Sequence, residues 1–233
     1  MGRGLLAVVG GMCVVLGAVG CATQPTTVTT DPAGAFVAVD GTGAGTSPLK
    51  YTFDFGKQQA YQVTASKPGF FDSTITLTSN GSGINNGVLP LALKADESFT
   101  QTTTAEAANR WVRIQVADSM KQDDVWQKLV DAVTSRYSSI EQMDNTSGYM
   151  RSVPIARTFK HPTSGDFSIR TQFLGAVSSR SPLVYKVKIV AERSTADGHW
   201  VSFDRVFKGD AELLDELQTR LGAAAAHASA DAH

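Results

Sequence analysis

The chain has 233 residues, 21 Lys and Arg against 22 Asp and Glu, a formal charge of −1 and two cysteines. That length suffices for two modest domains, each with a core of its own. The near-zero charge argues against a dedicated nucleic-acid binder, and the cysteines are too few for a disulfide framework or a cysteine-rich zinc site.

The first elements are targeting signals. Arg3 precedes an uncharged apolar run, Leu5 to Val19, and small residues lead to Cys21. This is the pattern of an export signal over residues 1–20. As a membrane span the run is short: fifteen helical residues reach ~22 Å, against a hydrocarbon core of ~30 Å. Ala18-Val19-Gly20-Cys21 resembles the lipobox of bacterial lipoproteins, although Ala18 stands where that family usually has Leu. The resemblance implies that Cys21 becomes the first mature residue and carries lipid, which ties the protein to a membrane and leaves no free thiol. Ala22 in place of the Asp that retains such proteins at the inner membrane implies the outer membrane of a bacterial envelope, with the periplasmic or surface side left open. Residues 21–27 read as a polar tether. A plain signal peptide with an unmodified Cys21 is the alternative.

From Val28 to Leu93 the signals are short strands and turns. Tyr51, Phe53 and Phe55 alternate with polar residues, as do Tyr61, Val63 and Ala65, then Ile75 and Leu77, then Leu89, Leu91 and Leu93. Period-two spacing of this kind buries one face of each strand. The stretch "DPAGAFVAVDGTGAGTSP" raises the question of a phosphate loop. A dinucleotide cradle needs G-x-G-x-x-G between a strand and a helix. Here Gly41, Gly43 and Gly45 are spaced G-x-G-x-G and an alternating strand follows, so the glycines turn a strand round. Asp40-Gly41 is itself a hairpin signal. The stretch, with "YQVTASKPGFFDSTITLT" after it, resembles the PEGA domain, a small β-sandwich-like module of bacterial exported proteins. Pro32, Gly34, Val37, Val39, Asp40, Gly41, Gly45, Thr46, Pro48 and the Lys67-Pro68-Gly69-Phe70 turn carry the likeness; Ala33 and an inserted Ser47 depart from it. It implies a binding or spacer module without catalysis.

Residues 94–109 hold little apolar content and read as a linker. The second domain is expected over 110–222. It opens with a strand, Trp111 to Val116, followed by a helix capped by Asp123 or Asp124 that places Trp126, Leu129, Val130, Val133 and Tyr137 in one stripe. Strands follow near 138–143, 148–159, 167–175, 183–193 and 200–207. A last helix begins near Asp210, with Leu213, Leu214, Leu217 and Leu221 inward and Gly222 at its end. The expected fold is thus two domains: a small all-β sandwich, then an α+β antiparallel sheet with two helices on one face. The second domain loosely resembles the TBP-like helix-on-sheet domains of outer-membrane-assembly lipoproteins, in element order alone. Residues 223–233 have too little to bury and are expected to be disordered.

No constellation for catalysis stands out. His161 and His199 lie in hairpin turns without metal-ligand spacing, and His227 and His233 lie in the tail. There is no G-x-S-x-G or S-x-x-K, and Asp40, Asp54 and Asp72 read as solvated. One charge feature is sharper. Arg170, Lys186 and Lys188 alternate with apolar residues on their strands and fall on the face opposite the core, with Trp111 and Arg113 on the same side. A face of this kind could hold an acidic partner or an anionic polymer; the plainer reading is a solvated antiparallel sheet guarded by lysines. The expectation is a lipid-anchored, non-catalytic binding or scaffold protein, with no cofactor, metal or nucleic acid, that contacts an envelope protein. The alternatives are a binder of cell-wall or lipopolysaccharide glycan, and a hydrolase with residues drawn from distant loops.

Overall fold

The computed structural model describes residues 23–80 and 83–222; the expected signal peptide, Cys21 and the tail 223–233 lie outside the described residues. The chain divides into two compact units. Among the described residues, the first comprises residues 23–65 with those of 73–92, and the second residues 66–72 with 93–222.

The first unit is all β: β1 (Thr23–Asp31), β2 (Phe36–Val39), β3 (Thr42–Thr46), β4 (Leu49–Asp54), β5 (Ala60–Ser66), β6 (Ser73–Thr78) and β7 (Val88–Ala92). They form a three-stranded sheet in the order β4-β1-β7 and a four-stranded sheet in the order β3-β2-β5-β6. The alternating residues meet inside, where Val28, Val37, Phe53, Val63, Leu77 and Leu89 are fully buried. Pro90 is tolerated because β7 is an edge strand, where a missing N–H breaks no ladder. The polar stretch read as a tether is in fact the start of β1, with Thr23 to Thr27 in register opposite Asp54 to Lys50 of β4. Main-chain hydrogen bonds hold it there, and these are indifferent to how polar the threonines are.

The glycine-rich stretch is the β2–β3 hairpin. Asp40 and Gly41 take φ of 49° and 76°, the left-handed pair of a type I′ turn, and Asp40 Oδ1 accepts from the Gln62 amide at 2.8 Å. The ring of Phe36 lies across Gly43, where an added Cβ would sit 2.7 Å from it. The glycines therefore make room for a turn and an aromatic ring.

The second unit runs α1 (Glu97–Gln101), β8 (Thr102–Thr104), β9 (Val112–Gln115), α2 (Gln122–Arg136), β10 (Ile140–Asp144), β11 (Tyr149–Ser152), β12 (Ile155–His161), β13 (Gly165–Arg180), β14 (Leu183–Ser194), β15 (Trp200–Ser202), β16 (Arg205–Phe207) and α3 (Lys208–Leu221). Seven strands form one antiparallel sheet about the long β13–β14 pair: β10 and β11 extend it beyond β13, β12 pairs with β13, and β9 and β15 both pair with β14. Val125, Trp126, Leu129 and Val133 of α2 and Leu213, Leu214, Leu217 and Leu221 of α3 share one core with Ile114, Phe173, Tyr185, Val187 and Ile189 of the sheet. The alternate residues of β13 and β14 remain partly exposed on the other face. The expected order of a β domain followed by a helix-bearing antiparallel sheet holds, with three helices in place of two.

Three local expectations need correction. Helix α2 starts at Gln122 after Lys121, which supplies no side-chain cap; Asp123 and Asp124 lie in the first turn, where the helix dipole favours them. Helix α3 starts at Lys208 rather than near Asp210. The stretch 94–109 is structured rather than a linker. Asp96 caps α1 by accepting from the amides of Ser98 and Phe99 at 2.9 and 3.2 Å, β8 pairs with β16, and Ala107 is fully buried. Asn109 closes the gap along β14 between β9 and β15: its main-chain N–H donates to Ile189, its Nδ2 to the carbonyls of Ala191 and Phe203 at 2.9 and 2.8 Å, and its Oδ1 accepts from the Ala191 amide at 3.0 Å. Backbone pairing, which composition does not register, orders this segment.

Candidate functional site

The open face of the second unit's sheet carries the residues that the sequence singles out. Antiparallel register sets Arg113 of β9 beside Lys186 of β14, and Val112 beside Val187. Trp111, just ahead of β9, is 43% exposed. The ammonium groups of Lys186 and Lys188 stand 4.9 and 5.0 Å from the centre of its ring. Such contacts contribute about 0.5–1 kcal/mol each at exposed sites. Two like charges held over one indole repel each other, and no carboxylate forms a salt bridge with Lys186, Lys188 or Arg113 among the described residues. The four residues make a patch of uncompensated positive charge.

Arg170 does not join it. Its Nε donates to Glu192 Oε2 at 2.7 Å, directly across the β13–β14 ladder, and its guanidinium lies 4.1 Å over the Trp200 ring. Nearby, Arg151 Nε lies 3.1 Å from Glu141 Oε2, and Gln172 Nε2 donates to Ser152 O at 2.7 Å. These groups line a hollow of about 290 Å³ in which two arginines face two glutamates. The rest of the basic run is dispersed: Arg157 lies over Phe207 and Arg193 over Phe167. Sequence alternation correctly placed Arg170 on the open face. It did not reveal that Glu192 is the cross-strand partner, because register is set by the hairpin and its bulge.

A second feature of the open face has no counterpart in the sequence reading. The β13–β14 register shifts between Val177 and Ser179, so Ser178 is an extra residue at a bulge. Beside it lies a hollow of about 490 Å³ lined by Arg113, Gln115, Ser178, Ser179 and Val184.

Beneath the sheet is a buried polar cluster. Arg136, at the end of α2, donates from Nε to Asp210 Oδ1 at 2.8 Å; the Asp210 side chain is 0% exposed and that of Arg136 21%. Asp210 Oδ2, the Tyr137 hydroxyl and Thr171 Oγ1 are buried together beside this pair. Burial, and after it the charge of Asp210, pushes the Tyr137 phenol far above its ordinary range, so Tyr137 stays neutral. The cluster joins α2, α3 and β13 and faces no hollow described above.

Among the described residues no three of His, Cys, Asp and Glu converge as a metal site. His161 Nδ1 accepts from the Ser164 amide at 3.1 Å and its ring meets Phe71 edge-on, while His199 lies 3.7 Å from Asp197. No helix among the described residues is long and apolar enough to cross a membrane. Comparison with curated proteins and with solved structures produced no match. The family comparison did produce one: residues 24–85, ahead of the helix-bearing sheet, match the PEGA domain.

Proposed function

We propose that this protein is a lipid-anchored, non-catalytic binding module of a bacterial cell envelope, held by Cys21, whose second unit docks an acidic protein partner on the open sheet face. The PEGA domain, as an envelope or binding module, supports the general role. The observation that carries the docking surface is the cluster of Trp111, Arg113, Lys186 and Lys188, an exposed aromatic with three cations that form no salt bridge among the described residues. Tryptophan and arginine are the residue types that dominate contact energies, and unpaired rim cations speed the approach of an acidic partner.

Crosslinking in intact cells, followed by mass spectrometry, identifies the partner. Replacing Lys186 and Lys188 with Glu reverses the local charge and abolishes its capture; unchanged capture refutes the surface. The mass of the mature N-terminus tests lipid on Cys21 separately. A glycan ligand is the second reading, favoured by the 43% exposure of Trp111, since an indole face can stack on a sugar. It predicts retention on peptidoglycan or lipopolysaccharide without a protein partner.

A further inference from the structure

We propose that the hollow at the Ser178 bulge is a binding site for a phosphate monoester. It shares a face and Arg113 with the docking patch, and its other lining residues, Gln115, Ser178, Ser179 and Val184, lie outside that patch. Bulges next to functional sites re-aim side chains, and this one brings two hydroxyls, those of Ser178 and Ser179, to one concavity. Arg113 and Gln115, two residues apart on β9, project to the same concavity. None of these four side chains hydrogen-bonds or ion-pairs with another described residue, and no carboxylate lines the hollow.

The donor count selects the ligand. A guanidinium fork offers two parallel N–H groups, the serines two O–H groups, and the glutamine amide a further N–H. A carboxylate has two oxygens for these donors, whereas a phosphate monoester has three terminal ones and matches the fork bidentately. Lys186, in register with Arg113, adds positive potential at the rim. The volume of about 490 Å³ admits a carrier the size of a sugar ring along with the phosphate, within the range of small-ligand sites. Val184 supplies an apolar wall for the carrier.

The test titrates the whole exported chain with inorganic phosphate, with glucose 1-phosphate, and with vesicles containing phosphatidate. It follows amide NMR signals for the soluble probes and sedimentation for the vesicles. Expected are shifts confined to Arg113, Gln115, Ser178, Ser179 and their neighbours, with Arg113→Gln weakening binding by roughly tenfold. Ser178→Ala with Ser179→Ala, both surface changes that leave the fold intact, weakens it by a smaller factor. Response to glucose 1-phosphate assigns a sugar-borne phosphate, and Arg113-dependent retention on vesicles alone assigns a lipid-borne one; either supports the site. No response to any probe, or a response that Arg113→Gln leaves unchanged, overturns it. Lys188→Glu separates this inference from the docking surface: it removes partner capture and leaves phosphate binding in place, because Lys188 lies outside the hollow.

Discussion

Replacing Arg136 with Met should expose how much the second unit depends on one buried ion pair. The substitution keeps the apolar stem and removes the guanidinium. Asp210 then remains fully buried, with Oδ1 newly stripped of its donor. Removing one member of a buried pair costs about 3–5 kcal/mol, because the remaining charge is neither solvated nor paired. Two circumstances put this case at the low end, about 3 kcal/mol: Arg136 retains 21% exposure, and Asp210 lies in the first turn of α3, where the helix dipole offsets part of the charge. For a unit of this size that is a fall in Tm of about 10 °C. The assay is urea or thermal unfolding followed by tryptophan fluorescence, which reports the second unit alone because Trp111, Trp126 and Trp200 all lie in it. Asp210→Asn placed on top of Arg136→Met removes the orphaned charge and should restore more than half of the loss. If Arg136→Met costs under about 1 kcal/mol, or the second change restores nothing, the reasoning is refuted.

Other perturbations test the remaining structural claims. Asn109→Ala deletes the side chain that donates to Ala191 and Phe203 and accepts from the Ala191 amide, at a residue with φ of 57°; a loss of about 2–3 kcal/mol is expected in the same fluorescence transition, and a negligible one would restore the linker reading. Gly148→Ala should cost about 2–4 kcal/mol, since φ is 65° and the new Cβ would stand 2.3 Å from a Val177 methyl and 2.8 Å from the Tyr185 hydroxyl. Asp144 is held below its ordinary pKa, chiefly by the hydroxyl of Ser147 and then by the Thr146 amide, and Asp197 chiefly by the hydroxyl of Thr195. With folded values depressed, their contribution to stability is present above a pH of about 4 and is lost as the pH falls through the folded values. Carboxyl NMR titration should find both midpoints below the ordinary aspartate value, and Ser147→Ala should raise that of Asp144.

Much of the architecture was legible because alternation and helical stripes are local. Val63 and Ala65 are buried as their spacing implies, and so are Leu213, Leu217 and Leu221. The Asp40-Gly41 turn was equally readable, since its two left-handed residues are chemically distinctive. Errors fell where order comes from partners far along the chain. Thr23–Thr27 looks like a tether until β4 lies beside it, and Lys94–Asn109 looks like a linker until Asn109 meets β14.

The candidate site divides in the same way. Composition and period two placed Trp111, Arg113, Arg170, Lys186 and Lys188 on one face of a sheet, because the pleat assigns faces by parity alone. Only tertiary register decided that Arg170 pairs with Glu192 while Lys186 and Lys188 lie over Trp111, with Arg113 beside Lys186 and no salt bridge to any of the three among the described residues, and that a bulge lies beside a hollow at Ser178. Parity is a property of one strand; neutralisation and concavity belong to pairs of strands, and a single extra residue in one of them shifts every partner beyond it.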